Sequence, residues 1–349
     1  MEILKKERDC HYELIRLLAC FFVLGVHTMW IIAPDMGIKG LYTRMIDTIF
    51  VLCNPIFFMI SGKFALNQDD YVDDMQYVRF YIKKIAYLIL PLLFYMFLLS
   101  AHNLKTETGS YSGLFHRFIV DSISGHSVSH FWFMYVLVGN VLMSPFTSKI
   151  FSSISRFGAI IFISILLLTN CAIAYSPYLF SVPFSAWINP FVGWSMYFYL
   201  GACVEKIFTD KQSIKLISIL GLIGFLIIIL KKYEFSYQNH IHDYMPSFTL
   251  FSLWIYVWLT RLKFSFSENT AYLIRFFASQ SFGIYLIHFP IVFIMQGHFK
   301  CPTWCPDVLF QYVYIIVIFV ISFIFSLIVN TLILKPIQKQ CDKLILLTK

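Results

Sequence analysis

Apolar residues arrive along this chain in long runs, separated by short polar segments. The runs at 157–173, 214–230 and 312–334 are nearly uninterrupted. Stretches of about 18 or more apolar residues read as membrane-crossing helices. Ten such segments are predicted: about 14–34, 44–66, 78–101, 128–148, 157–176, 187–206, 214–231, 245–262, 276–297 and 309–334. No internal repeat, heptad array or low-complexity tract interrupts the series. The longer connections are an acidic stretch at 67–76 and a loop at 102–127. The expected fold is an all-α, polytopic membrane helical bundle with about ten transmembrane helices.

Composition agrees with the pattern. Hydrophobic residues make up 59% of the 349 positions and charged residues only 13%, against about 25% charged in a soluble domain. That is too little charge to cover a water-facing surface, which excludes a soluble enzyme, a disordered chain and a compact nucleic-acid-binding domain. The net charge of +8 has a topological explanation. Ten spans put both ends on one side, and a cytoplasmic N-terminus leaves only Lys39, Arg44, Lys105, Arg117, Lys231, Lys232 and Lys300 of the 27 Lys and Arg on outer segments. Cytoplasmic segments carry the excess of Lys and Arg in membrane proteins, so both termini are expected to be cytoplasmic, in the cell membrane. The first apolar stretch carries Arg16 and lacks a small-residue cleavage site, so it reads as a retained helix. A single membrane domain over 9–335 with a cytoplasmic tail at 336–349 is expected, with no appended soluble domain.

Ionisable residues inside a membrane are expensive and mark functional sites by default. Three places stand out. On the first helix, Glu13 lies three residues before Arg16, within ion-pair reach. His27 lies eleven residues after Arg16, on the same helical face and roughly 16 Å along the axis. A snorkelling Arg and a structurally bonded His would account for the same residues. Second, Arg79, Lys83 and Lys84 open the third span; such a cluster suits phosphate groups or ordinary positive-inside anchoring. Third, Ser281–His288 places Tyr285 and His288 at i, i+3 inside the ninth span, fit to orient a substrate or relay a proton, or to bond across helices.

Other signals carry less. His116 and Asp121 have a His-x4-Asp spacing but fall on an outer loop. His240, His242 and Asp243 lack further ligands at metal-site spacing, and no metal is expected. Of the eight cysteines, Cys301 and Cys305 form the one close pair, read as a loop disulfide or two free thiols. Trp30, Trp187 and Trp304 fit an interfacial aromatic belt. There is no Gly-rich phosphate loop or nucleophile elbow.

Together the polar residues form a recognisable set. Arg16, ten residues and His27, with Glu13 three before the Arg, resemble the first-helix signature of the acyltransferase 3 family. Ser61-Gly62 resembles its Ser-Gly motif, His130-Phe131-Trp132-Phe133 its His-Leu-Trp-Phe segment, and Ser281–His288 its Ile-Tyr-Leu-x-His motif. The motifs stand in the family's order over about 9–335. One departure is that family members often carry an arginine pair at the start of span three, where this chain has Lys83-Lys84 with Arg79 one turn earlier.

The resemblance implies transfer of an acyl group, usually acetyl from cytosolic acetyl-CoA, to a hydroxyl of a cell-surface or lipid-linked glycan. It implies His27 as general base or transient acyl carrier, with Arg16 and Glu13 completing the catalytic set. Arg79, Lys83 and Lys84 would hold the donor's phosphates. Ser61, His130, Trp132, Tyr285 and His288 would line the substrate. The expected partners are the lipid bilayer, the glycan acceptor and polysaccharide synthesis machinery, with no nucleic acid. A flippase using the same cavity without acyl chemistry is the alternative, although duplicated halves typical of transporters are not visible.

Overall fold

The computed structural model describes residues 9–32, 38–67, 73–124, 129–182, 191–234 and 245–347. Among these every regular element is helical: α1 (Cys10–Val26), α2 (Ile38–Phe50), α3 (Cys53–Leu66), α4 (Asp74–Lys84), α5 (Leu90–Thr108), α6 (Leu114–Ser124), α7 (Trp132–Ser153), α8 (Arg156–Phe180), α9 (Ser195–Ile207), α10 (Lys211–Glu234), α11 (Pro246–Leu259), α12 (Glu268–Ala278), α13 (Ser281–His298), α14 (Asp307–Val329) and α15 (Lys335–Leu347). Six helical stretches among the described residues are long and apolar enough to cross a membrane: Gly40–Leu66, Asp74–Thr108, Arg156–Ser176, Lys211–Leu230, Ser281–His298 and Asp307–Leu346. Exposed Leu, Ile, Val and Phe side chains along these helices, such as Ile165, Leu168, Leu226 and Ile316, are what a lipid-facing surface requires.

The chain forms two compact units: residues 1–70 with 143–278, and 71–142 with 279–349. In the first unit α3 and α9 come together closely because two glycines allow it. A Cβ on Gly62 would overlap the Phe198 carbonyl, and one on Gly201 would overlap the Met59 carbonyl. Small residues at such contacts let helix backbones approach within a membrane. In the same unit Lys206 donates to the carbonyls of Phe151, Ser152 and Ile154, satisfying the open C-terminal turn of α7. Asp210 caps α10 by accepting from the Ser213 amide at 2.8 Å and pairs with Arg156 at 2.6 Å.

In the second unit two helices run beyond their expected lengths. α4 continues into α5 through a π-helical turn at Ile85–Ile89, and α14 continues into α15 through another at Asn330–Leu334. Each π turn ends two residues before a proline, Pro91 and Pro336. A proline lacks an amide donor and its ring crowds the carbonyl four residues earlier; the wider turn relieves that crowding without ending the helix. The loop expected at 102–127 is largely structured, since α5 reaches Thr108 and α6 follows. Arg117 on α6 bonds Asp121 through Nε at 2.9 Å and Glu107 through Nη1 at 2.7 Å, and Ser100 donates to Asp121 at 2.7 Å. Asp121 therefore holds α6 on α5 rather than serving a His-x4-Asp site.

Candidate functional site

On α1, Asp9 caps the first turn by accepting from the His11 amide at 2.9 Å, so the helix starts before the apolar run and carries Glu13 and Arg16 in regular helix. Arg16 Nη1 donates to Glu13 Oε1 at 2.7 Å, with the carboxylate buried. One turn supplies both partners, so the pair is set by backbone geometry alone. The helix ends at Val26, and His27 occupies its C-terminal cap with φ −83° and ψ 1°. Thr28 Oγ1 donates to the Gly25 carbonyl at 3.0 Å, and Trp30 Nε1 donates to the His27 carbonyl at 3.1 Å. His27 thus sits on a terminated helix, not midway along a continuous one. Gly25 presses against the Phe50 ring, where a Cβ would not fit, fixing this end of α1 on α2.

Ser61 lies on α3, beside the Gly62 contact. A cluster that sequence reading missed lies in this unit. Glu205 on α9 accepts from Tyr12 Oη at 3.3 Å and pairs with Lys63 on α3, whose Nζ also lies 4.8 Å from the Tyr12 ring centroid. Tyr12 is adjacent to Glu13, so these three side chains tie the catalytic-candidate helix to α3 and α9. Only the position of Lys63 directly after Ser61-Gly62 hinted at it. His11 adds a bond between Nε2 and the Leu259 carbonyl at 2.8 Å, where the carbonyl accepts.

The second unit gathers His130, Tyr285 and His288. All three are buried. The imidazole centroids of His130 and His288 stand 5.2 Å apart, edge to face, and Tyr285 lies 5.8 Å from His130. Tyr285 Oη donates to the His130 carbonyl. His288 Nδ1 meets the Tyr285 carbonyl at 2.6 Å; a carbonyl only accepts, so Nδ1 carries the proton and a neutral His288 has its lone pair on Nε2. Phe289 and Phe131 complete the wall at 4.9 and 4.3 Å from His130. Trp132 opens α7 beside this group, its ring 6.1 Å from Phe133. Polar contacts tie the start of α13 to the end of α14: Ser326 Oγ donates to Gln280 Oε1 at 3.0 Å and Asn330 Nδ2 to the same oxygen at 3.4 Å.

The basic cluster lies on α4 of this unit, with Lys84 Nζ 5.0 Å from the Phe80 ring centroid. The candidate residues therefore divide between the units: Glu13, Arg16, His27 and Ser61 in the first, and Arg79, Lys83, Lys84, His130, Trp132, Tyr285 and His288 in the second. His240, His242, Asp243 and Trp187 lie outside the described residues. Among the described residues no group of three His, Cys, Asp or Glu side chains is placed to hold a metal ion.

Residues 12–331 match the acyltransferase domain of the acyltransferase 3 family, nearly the whole chain. The chain belongs to that family. No curated protein and no solved structure matches it. Membership in the acyltransferase 3 family, with the apolar helices, makes this a multi-pass membrane protein with acyltransferase character. The acyltransferase 3 match takes in α1 from Tyr12 onward and ends within the second π turn, so α15 lies beyond it.

Proposed function

We propose that this acyltransferase moves an acyl group, acetyl in the simplest case, from cytosolic acyl-CoA to a hydroxyl of a cell-surface or lipid-linked glycan. In this reading the chain crosses the cell membrane about ten times with both termini cytoplasmic. The observation that carries it is α1: a fixed cation, Arg16, held by buried Glu13, and an imidazole at the far end of the same helix.

The acceptor hydroxyl gives its proton to His27 as its oxygen attacks the thioester carbonyl. The carbon–sulfur bond breaks, and the proton passes from His27 to the leaving CoA thiolate. Atoms and charges balance without a further reactant, and a neutral imidazole is the form required. Arg16, at the other end of α1 from His27, orients the donor, and Glu13 holds its guanidinium in place. Arg79, Lys83 and Lys84 attract the donor's phosphates. His130, Trp132, Tyr285 and His288 offer aromatic faces and imidazole edges to the acceptor sugar, and Ser61 is assigned to substrate as well.

The test is transfer of label from acetyl-CoA to glycan in membranes containing the chain. His27→Ala is expected to lower transfer about 10²- to 10⁴-fold, the usual worth of a general base, with membrane insertion unchanged. Transfer retained in His27→Ala overturns the assignment. Wild-type membranes that move glycan without labelling it would favour the flippase alternative.

A further inference from the structure

The second unit holds a basic surface that the family match reaches only in part. The stretch Asp307–Leu346 is one 40-residue helix, about 60 Å long at 1.5 Å per residue. Asp74–Thr108, at 35 residues, is about 52 Å. A bilayer's hydrocarbon core is about 30 Å thick, so both helices are longer than that core. Their extensions, α15 and α4, pack on each other. Tyr87 Oη donates to Asp342 Oδ2 at 2.7 Å, and Gln338 Nε2 donates to the Ala86 carbonyl at 3.3 Å. The π turn at Ile85–Ile89 lies at this junction.

The side of α15 turned to its neighbours carries Gln338 and Ile345, both buried. Lys335, Lys339 and Lys343 follow at intervals of four, exposed along one stripe. Asp342, the acid in the middle of α15, is already engaged by Tyr87. Among the described residues no ion pair is made to Lys83, Lys335, Lys339 or Lys343. The packing of α15 on α4 therefore puts Arg79, Lys83 and Lys84 and three further lysines on two adjoining helices. Like charges held together repel, and a polyanion relieves that repulsion.

We propose that α4 and α15 together form the binding site for the nucleotide of the acyl donor, a 3′-phosphorylated adenosine diphosphate carrying about four negative charges. α15 supplies the half of the site that lies outside the acyltransferase domain. Charge complementarity selects this occupant, and the test below separates it from anionic lipid headgroups. This inference rests on the acyl-CoA reading given above.

The test replaces Lys335, Lys339 and Lys343 together by Gln and measures transfer with two donors, acetyl-CoA and S-acetyl-pantetheine, which lacks the nucleotide. KM for acetyl-CoA is expected to rise about tenfold, the sum of three exposed charge pairs of about 0.5 kcal/mol each. Its kcat and the KM for S-acetyl-pantetheine are expected to stay within twofold. Replacement of the same lysines by Arg is expected to keep KM low. Unchanged KM for acetyl-CoA overturns the proposal, as does equal loss with both donors, which marks a structural role. An effect seen only in vesicles of anionic lipid, and absent in zwitterionic nanodiscs, assigns the lysines to headgroups and overturns it too. Binding of 3′-phosphoadenosine 5′-diphosphate to the purified full chain separates the two readings. If the wild type binds it and the Gln variant binds about tenfold more weakly, the site stands even where acetyl transfer is absent; no binding by the wild type overturns it.

Discussion

The polar groups of α1 and those around His288 solve the same physical problem in different ways. Glu13 and Arg16 are three residues apart, so one helical turn brings them together and buries the carboxylate against its partner. His130 and His288 are 158 positions apart, yet their rings stand 5.2 Å from each other. The first arrangement is local and charged; the second is assembled by packing and can be entirely neutral. A local ion pair is vulnerable at either member. A packed neutral group is distributed over carbonyls and rings, so each single contact matters less.

That contrast can be broken most severely at Arg16. Arg16→Ala leaves the buried Glu13 carboxylate without its guanidinium, with an expected loss of about 3 kcal/mol of stability. The double variant Glu13→Ala/Arg16→Ala should recover much of that loss. Thermal unfolding in a fixed detergent checks both, and equal stability of the two variants would contradict the pairing. A smaller effect is expected in the second unit. Tyr285→Phe removes the donation to the His130 carbonyl but leaves the ring packing, at a cost of about 1 kcal/mol. A loss as large as that of Arg16→Ala would show that the cluster is not distributed.

The smallest effect is expected outside the membrane, at Asp210. The Ser213 amide, and then the Arg156 guanidinium, hold its carboxyl below the usual carboxylate range. Because the folded value is depressed, the contribution is present above the ordinary carboxylate pKa of about 4 and disappears as pH falls through the folded value. Asp210→Asn should therefore lower the melting temperature slightly at pH 7, and the difference should fade as pH falls through the depressed folded value. A difference that persists at low pH would point to lost packing instead.

Much of this was legible in the sequence because periodicity and local spacing carry it. The long apolar run 157–173 falls inside α8 and 312–334 spans α14 and the π turn after it, and the Glu13–Arg16 pair needed only an i, i+3 count. The end of α1 before His27 was not legible, since Gly25-Val26-His27-Thr28 holds no proline and no strong breaker. α6 and α12, each of 11 residues, were missed because short amphipathic helices leave no long apolar run. The Tyr12–Lys63–Glu205 cluster joins three distant segments, and no spacing rule reaches across them. The Ser281–His288 motif pointed to Tyr285 and His288, but their meeting with His130 is a product of tertiary packing.

The π turn at Asn330–Leu334 has a consequence for the angular setting of everything after it. A turn closed over five residues instead of four holds one residue more than an α-helical turn. Each residue of an α-helix turns the chain by about 100°. The extra residue thus acts as a rotational offset between α14, whose faces are dictated by its apolar neighbours, and α15, whose lysines must point elsewhere. Shortening Asn330–Leu334 by one residue would preserve both helices and every charge. It would swing Lys335, Lys339 and Lys343 about a quarter turn around the axis and carry Gln338 away from Ala86.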